Sequence, residues 1–129
     1  MRQLILLFLL LAAPGAAQPE PEWRIAQEYD VLLRPWAYEP KLIRLPAGRP
    51  VRLRFVNQSR ATMAFSAPAF FRSARLRPRD ADIARRGGLR LAPGERRTVA
   101  LVAAPGRYGA HSSNLVHRLL GMNGEILAE

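Results

Sequence analysis

The sequence predicts an all-β sandwich, and three observations predict it. Short stretches alternate apolar and polar residues at period two, Gly and Pro turns separate them, and no repeat, low-complexity segment or internal boundary divides the chain. About seven short strands around one core are expected from this pattern.

The elements follow in order. "WRIAQEYDVLL" (residues 23–33) alternates weakly and reads as a first strand, and "RPWAYEPK" with its two prolines reads as a connection. "LIRLPAG" and "RPVRLRFVNQS" are two strands joined at the tight turn "PAG". Val51, Leu53 and Phe55 alternate with Arg52 and Arg54, which predicts one buried and one wet face. A short strand over residues 63–66 precedes "APAFF". The Arg-rich stretch 72–88 predicts a short helix over 80–86, with Asp80 at its positive end and Arg85 and Arg86 at the other. "LRLAPGERRTVALVAAPGRYGAH" predicts three strands split by two Pro-Gly turns, and "GEILA" a last one.

The chain begins "MRQLILLFLLLAAPGAAQ". One arginine, ten apolar residues (4–13) and small residues ending at Ala17 follow the plan of a secretory signal peptide. The apolar run is half the roughly 20 residues a spanning helix needs, so no stable membrane insertion is expected once it is removed. The expected organisation is a signal peptide at 1–17, a tether with the first strand at 18–37, and the main domain at 38–129. The mature chain would be a secreted, periplasmic monomer.

The sequence of 129 residues contains no cysteine, which excludes disulfides, thiolate metal sites and thiol catalysis. Beyond the signal segment, 19 basic residues face 10 acidic ones, a net charge of +9 that favours anionic partners. Lys41 is the sole lysine, and so Arg-rich a composition is also compatible with a GC-rich genome. No aromatic-interleaved basic motif points to nucleic acid. No Ser-His-Asp order, phosphate loop or HExxH motif is present, and Asp80 and Asp82 lack a catalytic partner, so an enzyme is not expected.

Three segments together resemble the cupredoxin family, the small Greek-key sandwiches that carry mononuclear copper. They are "YEPKLIRLPAGRPVRLRFVN", "LAPGERRTVALVAAPGRYGAHSS" and "VHRLLGMNGEI", in the family's order and spacing from about residue 38 onward. The loop is similar to that of a bacterial exported subgroup, whose frame here reads Ser112-Ser113-Asn114-Leu115-Val116-His117 followed by Gly121-Met122. The resemblance implies a cupredoxin-like domain with four ligand positions. The first histidine falls on Met63, the cysteine on Ser112, the second histidine on His117 and the axial methionine on Met122.

These exchanges change the implied chemistry. Blue copper needs two imidazoles and a thiolate in a plane, and a neutral serine hydroxyl does not replace the thiolate. One imidazole with two thioethers is instead a soft set that suits Cu(I). Two readings stand: a copper-handling protein using Met63, His117 and Met122, or a metal-free sandwich in which the methionines fill the former site as adaptable core residues. In the second reading the protein is an interaction module whose Arg-rich face, residues 72–97, docks a periplasmic partner or an anionic surface. Alternation along "RYGAHS" points His111 away from Ser112, leaving it at most a secondary metal position. Asn57 is expected to end its strand and order the next turn.

Overall fold

Strand β1 runs over Gln27–Arg34, four residues later than the sequence pattern suggests, because Trp23–Ile25 forms a single 3-10 turn first. The structure, a computed structural model, describes residues 19–129. The expected signal peptide lies outside the described residues.

After β1 come β2 (Ala37–Glu39), β3 (Leu42–Leu45), β4 (Pro50–Asn57) and β5 (Met63–Ser66). Helix α1 (Pro68–Ser73) leads to β6 (Arg75–Leu76), a 3-10 turn at Pro78–Asp80 and α2 (Ala81–Arg86). Then follow β7 (Gly88–Leu91), β8 (Arg96–Val102), β9 (Gly106–His111), α3 (Leu115–Leu119) and β10 (Asn123–Ala128). One sheet has the order β2-β1-β4-β8-β6 and the other β3-β10-β9-β5-β7. The described residues thus hold ten strands rather than about seven. The stretch read as a connection contains β2, and two-residue β6 was too short to leave a pattern.

The alternation in β4 is realised in full. Val51, Leu53 and Phe55 are buried, while Arg52 and Arg54 emerge on the other face and pair with Glu28 at 3.6 and 3.7 Å. Between the sheets, Phe55, Phe65, Phe70 and Phe71 are fully buried and contact one another edge-on or tilted at 5.0–6.3 Å between ring centres. Removing any one of these rings costs about 3–5 kcal/mol. "APAFF" therefore serves as a helical turn that drives two phenyl rings into the core.

Strand β8 departs from simple alternation, since Val99, Ala100 and Leu101 are all buried. Its far edge pairs with β6 only at Val102 and Leu101. Beyond that point the next segment continues the ladder by other means. Arg77 donates its N–H to the Ala100 carbonyl at 2.9 Å, and the Asp80 carboxylate accepts the Ala100 N–H at 3.0 Å. Arg77 also donates Nε to Asp80 at 2.9 Å and Nη2 to the Thr98 carbonyl at 3.2 Å. Arg97 binds Asp82 through both terminal nitrogens at 2.9 and 3.3 Å. Its hydrogen bonds hold the Asp82 carboxyl below the usual carboxylate range. Asp80 precedes α2 as expected, but it caps no helix N–H; its side chain is spent on the edge of β8.

Candidate metal centre

Met63 opens β5 and is almost fully buried, in register with Leu91 of β7. Two buried polar side chains fix it from either side. Asn57 Nδ2 donates to the carbonyls of Ala61, Leu91 and Ala92 at 2.8–3.1 Å, while its Oδ1 accepts from the N–H and hydroxyl of Ser59. It ends β4 and orders the following turn, as expected from sequence. On the other side, the Tyr38 hydroxyl donates to the Ala64 carbonyl at 2.5 Å. Burial raises the Tyr38 phenol above its ordinary pKa, against a smaller opposing pull from Arg118, so it remains a neutral donor.

The loop after β9 is built around Ser112. Its N–H donates to the Met122 carbonyl at 3.0 Å, its hydroxyl accepts the Asn114 N–H at 3.2 Å, and its carbonyl accepts Arg118 Nε at 3.2 Å. Asn114 then caps α3, accepting the N–H groups of Val116 and His117 at 2.9 and 3.2 Å. Asn is favoured before a helical turn because its side-chain oxygen accepts the N–H groups left free there. The short helix turns the chain back so that Met122 donates its N–H to the His117 carbonyl at 3.1 Å. Ser112 and Met122 are completely buried, and Leu115, Val116, Leu119 and Leu120 are left exposed.

His117 is partly buried, and its Nδ1 has no hydrogen-bond partner. Among the described residues it is the only buried side-chain nitrogen or oxygen in that condition. Its ring lies 4.9 Å from the ring of Trp36, centre to centre, tilted by 55°. Trp36 and Met63 in turn line one shallow cleft of about 420 Å³. The structure thus brings Met63, Ser112, His117 and Met122 to the same end of the sandwich, with Trp36 added.

Trp36 was not singled out from the sequence. It follows Pro35 in the two-residue turn between β1 and β2 and has φ 63°, a conformation costing a bulky residue about 1–3 kcal/mol. A Pro-X turn with positive φ at its second corner ordinarily takes glycine there, so Pro35-Trp36 gave no sequence signal for this backbone. The Trp36 carbonyl also leaves little room for a side chain on the loop. A side chain at Gly121, where φ is 113°, would place its Cβ 3.2 Å from that oxygen.

His111 pairs with Ser66 and with Asn123 and is partly buried. Burial first, and Arg118 second, hold its imidazole below the ordinary value. Among the described residues, no three His, Cys, Asp or Glu side chains come together in a way that would hold a metal ion.

Two five-stranded sheets in this order, with the last loop folded over one end, define a cupredoxin-like sandwich. The auracyanins, themselves cupredoxins, are among the solved structures that match. Reduced auracyanin from Roseiflexus castenholzii is 17% identical with TM-score 0.58, covering 81% of this chain and 98% of that one. Auracyanin B is 23% identical with TM-score 0.59, covering 88% and 93%. A multi-copper oxidase from Pseudomonas thermotolerans is 18% identical with TM-score 0.62, but only 30% of its length is covered, against 81% of this chain. No family model matches the sequence, and no curated protein is similar to it in sequence. Likeness at these identities establishes the fold.

Proposed function

We propose that this is an exported copper-handling protein that holds Cu(I) between the His117 imidazole and the thioethers of Met63 and Met122. The observation that carries the proposal is the buried, unpartnered Nδ1 of His117. Leaving such an atom unsatisfied costs about 1–3 kcal/mol, which native proteins rarely tolerate without a use for the atom. His117 is joined to the buried Met122 by a backbone hydrogen bond, and its ring contacts Trp36, which lines a cleft with the buried Met63. One neutral nitrogen and two thioethers suit Cu(I), and they disfavour zinc, calcium and magnesium. Bound copper would supply a soft, exchangeable monovalent ion.

Ser112 stands outside the ligand set. Its hydroxyl already accepts the Asn114 N–H, stays protonated near neutral pH and serves to shape the loop. Without a thiolate the site supports no blue-copper electron transfer, and the protein acts as a carrier or store rather than an enzyme. Export to the periplasm rests on the N-terminal sequence; among the described residues no helix is long and apolar enough to cross a membrane.

Anaerobic Cu(I) titration against a competing chelator tests this reading. The parent should retain one equivalent, and Met63→Ala and His117→Ala should each release it. No retention by the parent, or equal retention by all three, defeats it.

A second reading has its own observation. Arg86, Arg90 and Arg97 line a cleft of about 210 Å³ together with Asp82, on the face formed by the Arg-rich segment. That excess of positive charge favours docking an acidic partner. Loss of partner capture at raised ionic strength, and on Arg86→Glu with Arg90→Glu, distinguishes this reading from copper handling.

A further inference from the structure

We propose that Trp36 is a fourth member of the copper centre, its indole face closing the outer side of the Cu(I) site opposite the buried methionines. The inference rests on the copper reading and deepens it. Three observations carry it.

The first is conformational. Trp36 occupies the corner of a turn where glycine is favoured, at φ 63°. The second is that neither burial nor hydrogen bonding explains an indole there. Trp36 is 42% exposed, and its N–H makes no hydrogen bond among the described residues. Partial burial and a missing polar bond give little reason to hold a large side chain in that backbone. The third is placement. The ring that Trp36 contacts is the one bearing the unpartnered Nδ1, and the cleft that Trp36 lines is the one reaching Met63. The turn also runs close to the loop that carries His117 and Met122, since a side chain at Gly121 would meet the Trp36 carbonyl.

An aromatic face is a suitable wall for this ion. A monovalent cation held by neutral donors keeps its full charge, and the electron-rich face of an indole attracts it while excluding water. A carboxylate or hydroxyl in that place would favour Cu(II) and admit solvent. Trp36 would thereby favour the reduced ion and slow its oxidation without adding a formal bond.

The chain has two tryptophans, Trp23 and Trp36, so Trp23→Phe makes Trp36 the sole indole. In that background, anaerobic addition of Cu(I) should quench the indole emission and saturate at one equivalent. Trp36→Gly suits the backbone, so the fold is kept. It should retain Cu(I) about tenfold more weakly against the chelator and lose it faster to oxidation in air. Unchanged emission, or a Trp36→Gly variant with parental affinity and oxidation rate, overturns the role of Trp36. If His117→Ala still abolishes retention in that case, the copper reading survives alone. Absence of Cu(I) retention by the parent overturns both.

Discussion

The sandwich buries polar groups in two places, and they are handled in opposite ways. At the β6–β8 edge, Asp80 accepts from Arg77 and from the Ala100 N–H, Arg97 spans Asp80 and Asp82, and the buried polar atoms are partnered. At the loop end, the Asn57 and Ser112 side chains both have partners, but His117 Nδ1 is left alone. A network that closes on itself accounts for its own residues through stability. An atom left open in an otherwise closed network calls for a ligand, and that difference directs attention to the loop rather than to the more conspicuous charge cluster.

Substitutions probe this contrast, and the largest effect is expected at the closed network. Asp80→Ala removes the acceptor for the Ala100 N–H and for Arg77 Nε, leaving Arg77 without its carboxylate partner. It should cost about 3 kcal/mol and lower the thermal midpoint by on the order of 10 °C, read by calorimetry, with Cu(I) retention intact in the folded fraction. Asn57→Ala should cost about 2 kcal/mol in urea unfolding, because it removes the donor shared by the Ala61, Leu91 and Ala92 carbonyls. Unlike Asp80→Ala, it should also loosen Cu(I), since Asn57 secures the turn leading to Met63.

Tyr38→Phe should cost about 1 kcal/mol near neutral pH, and it should change the alkaline limb of the stability curve. Burial raises the folded pKa of Tyr38 above that of the unfolded phenol. Its contribution is therefore complete below about pH 10 and is lost as pH rises further, because the unfolded chain ionises first. Urea unfolding of both proteins from pH 8 to 11 should show the parent losing its advantage over Tyr38→Phe. The smallest effect, and the one of opposite sign, belongs to the open site. His117→Leu removes an unsatisfied nitrogen, so the metal-free protein should be unchanged or more stable by up to about 1 kcal/mol while Cu(I) retention disappears. A clear destabilisation would place His117 with the structural residues.

The parts of the molecule legible in the sequence are those fixed by local periodicity. The alternation of Val51, Leu53 and Phe55 and the Pro-Gly turns around β8 carried through to the structure. The less legible parts depend on distant partners. Strands β2 and β6 exist because β1 and β8 offer them an edge, and two or three residues show no period of their own. The far edge of β8 is completed by Arg77 and Asp80, which lie about 20 residues away in sequence. Trp36 was hidden for a related reason, since its partner His117 is 81 residues away in sequence.

The way Asp80 and Arg77 finish the edge of β8 also bears on how this protein keeps its own company. A strand with free N–H and C=O groups along one side is a template for another copy of the same chain. Here a carboxylate and a guanidinium occupy those groups, and each presents charge where an incoming strand would have to approach. Loss of Asp80 would thus do more than weaken one molecule. It would uncover a surface on which molecules stack, and Asp80→Ala protein held below its melting point should form aggregates that light scattering detects.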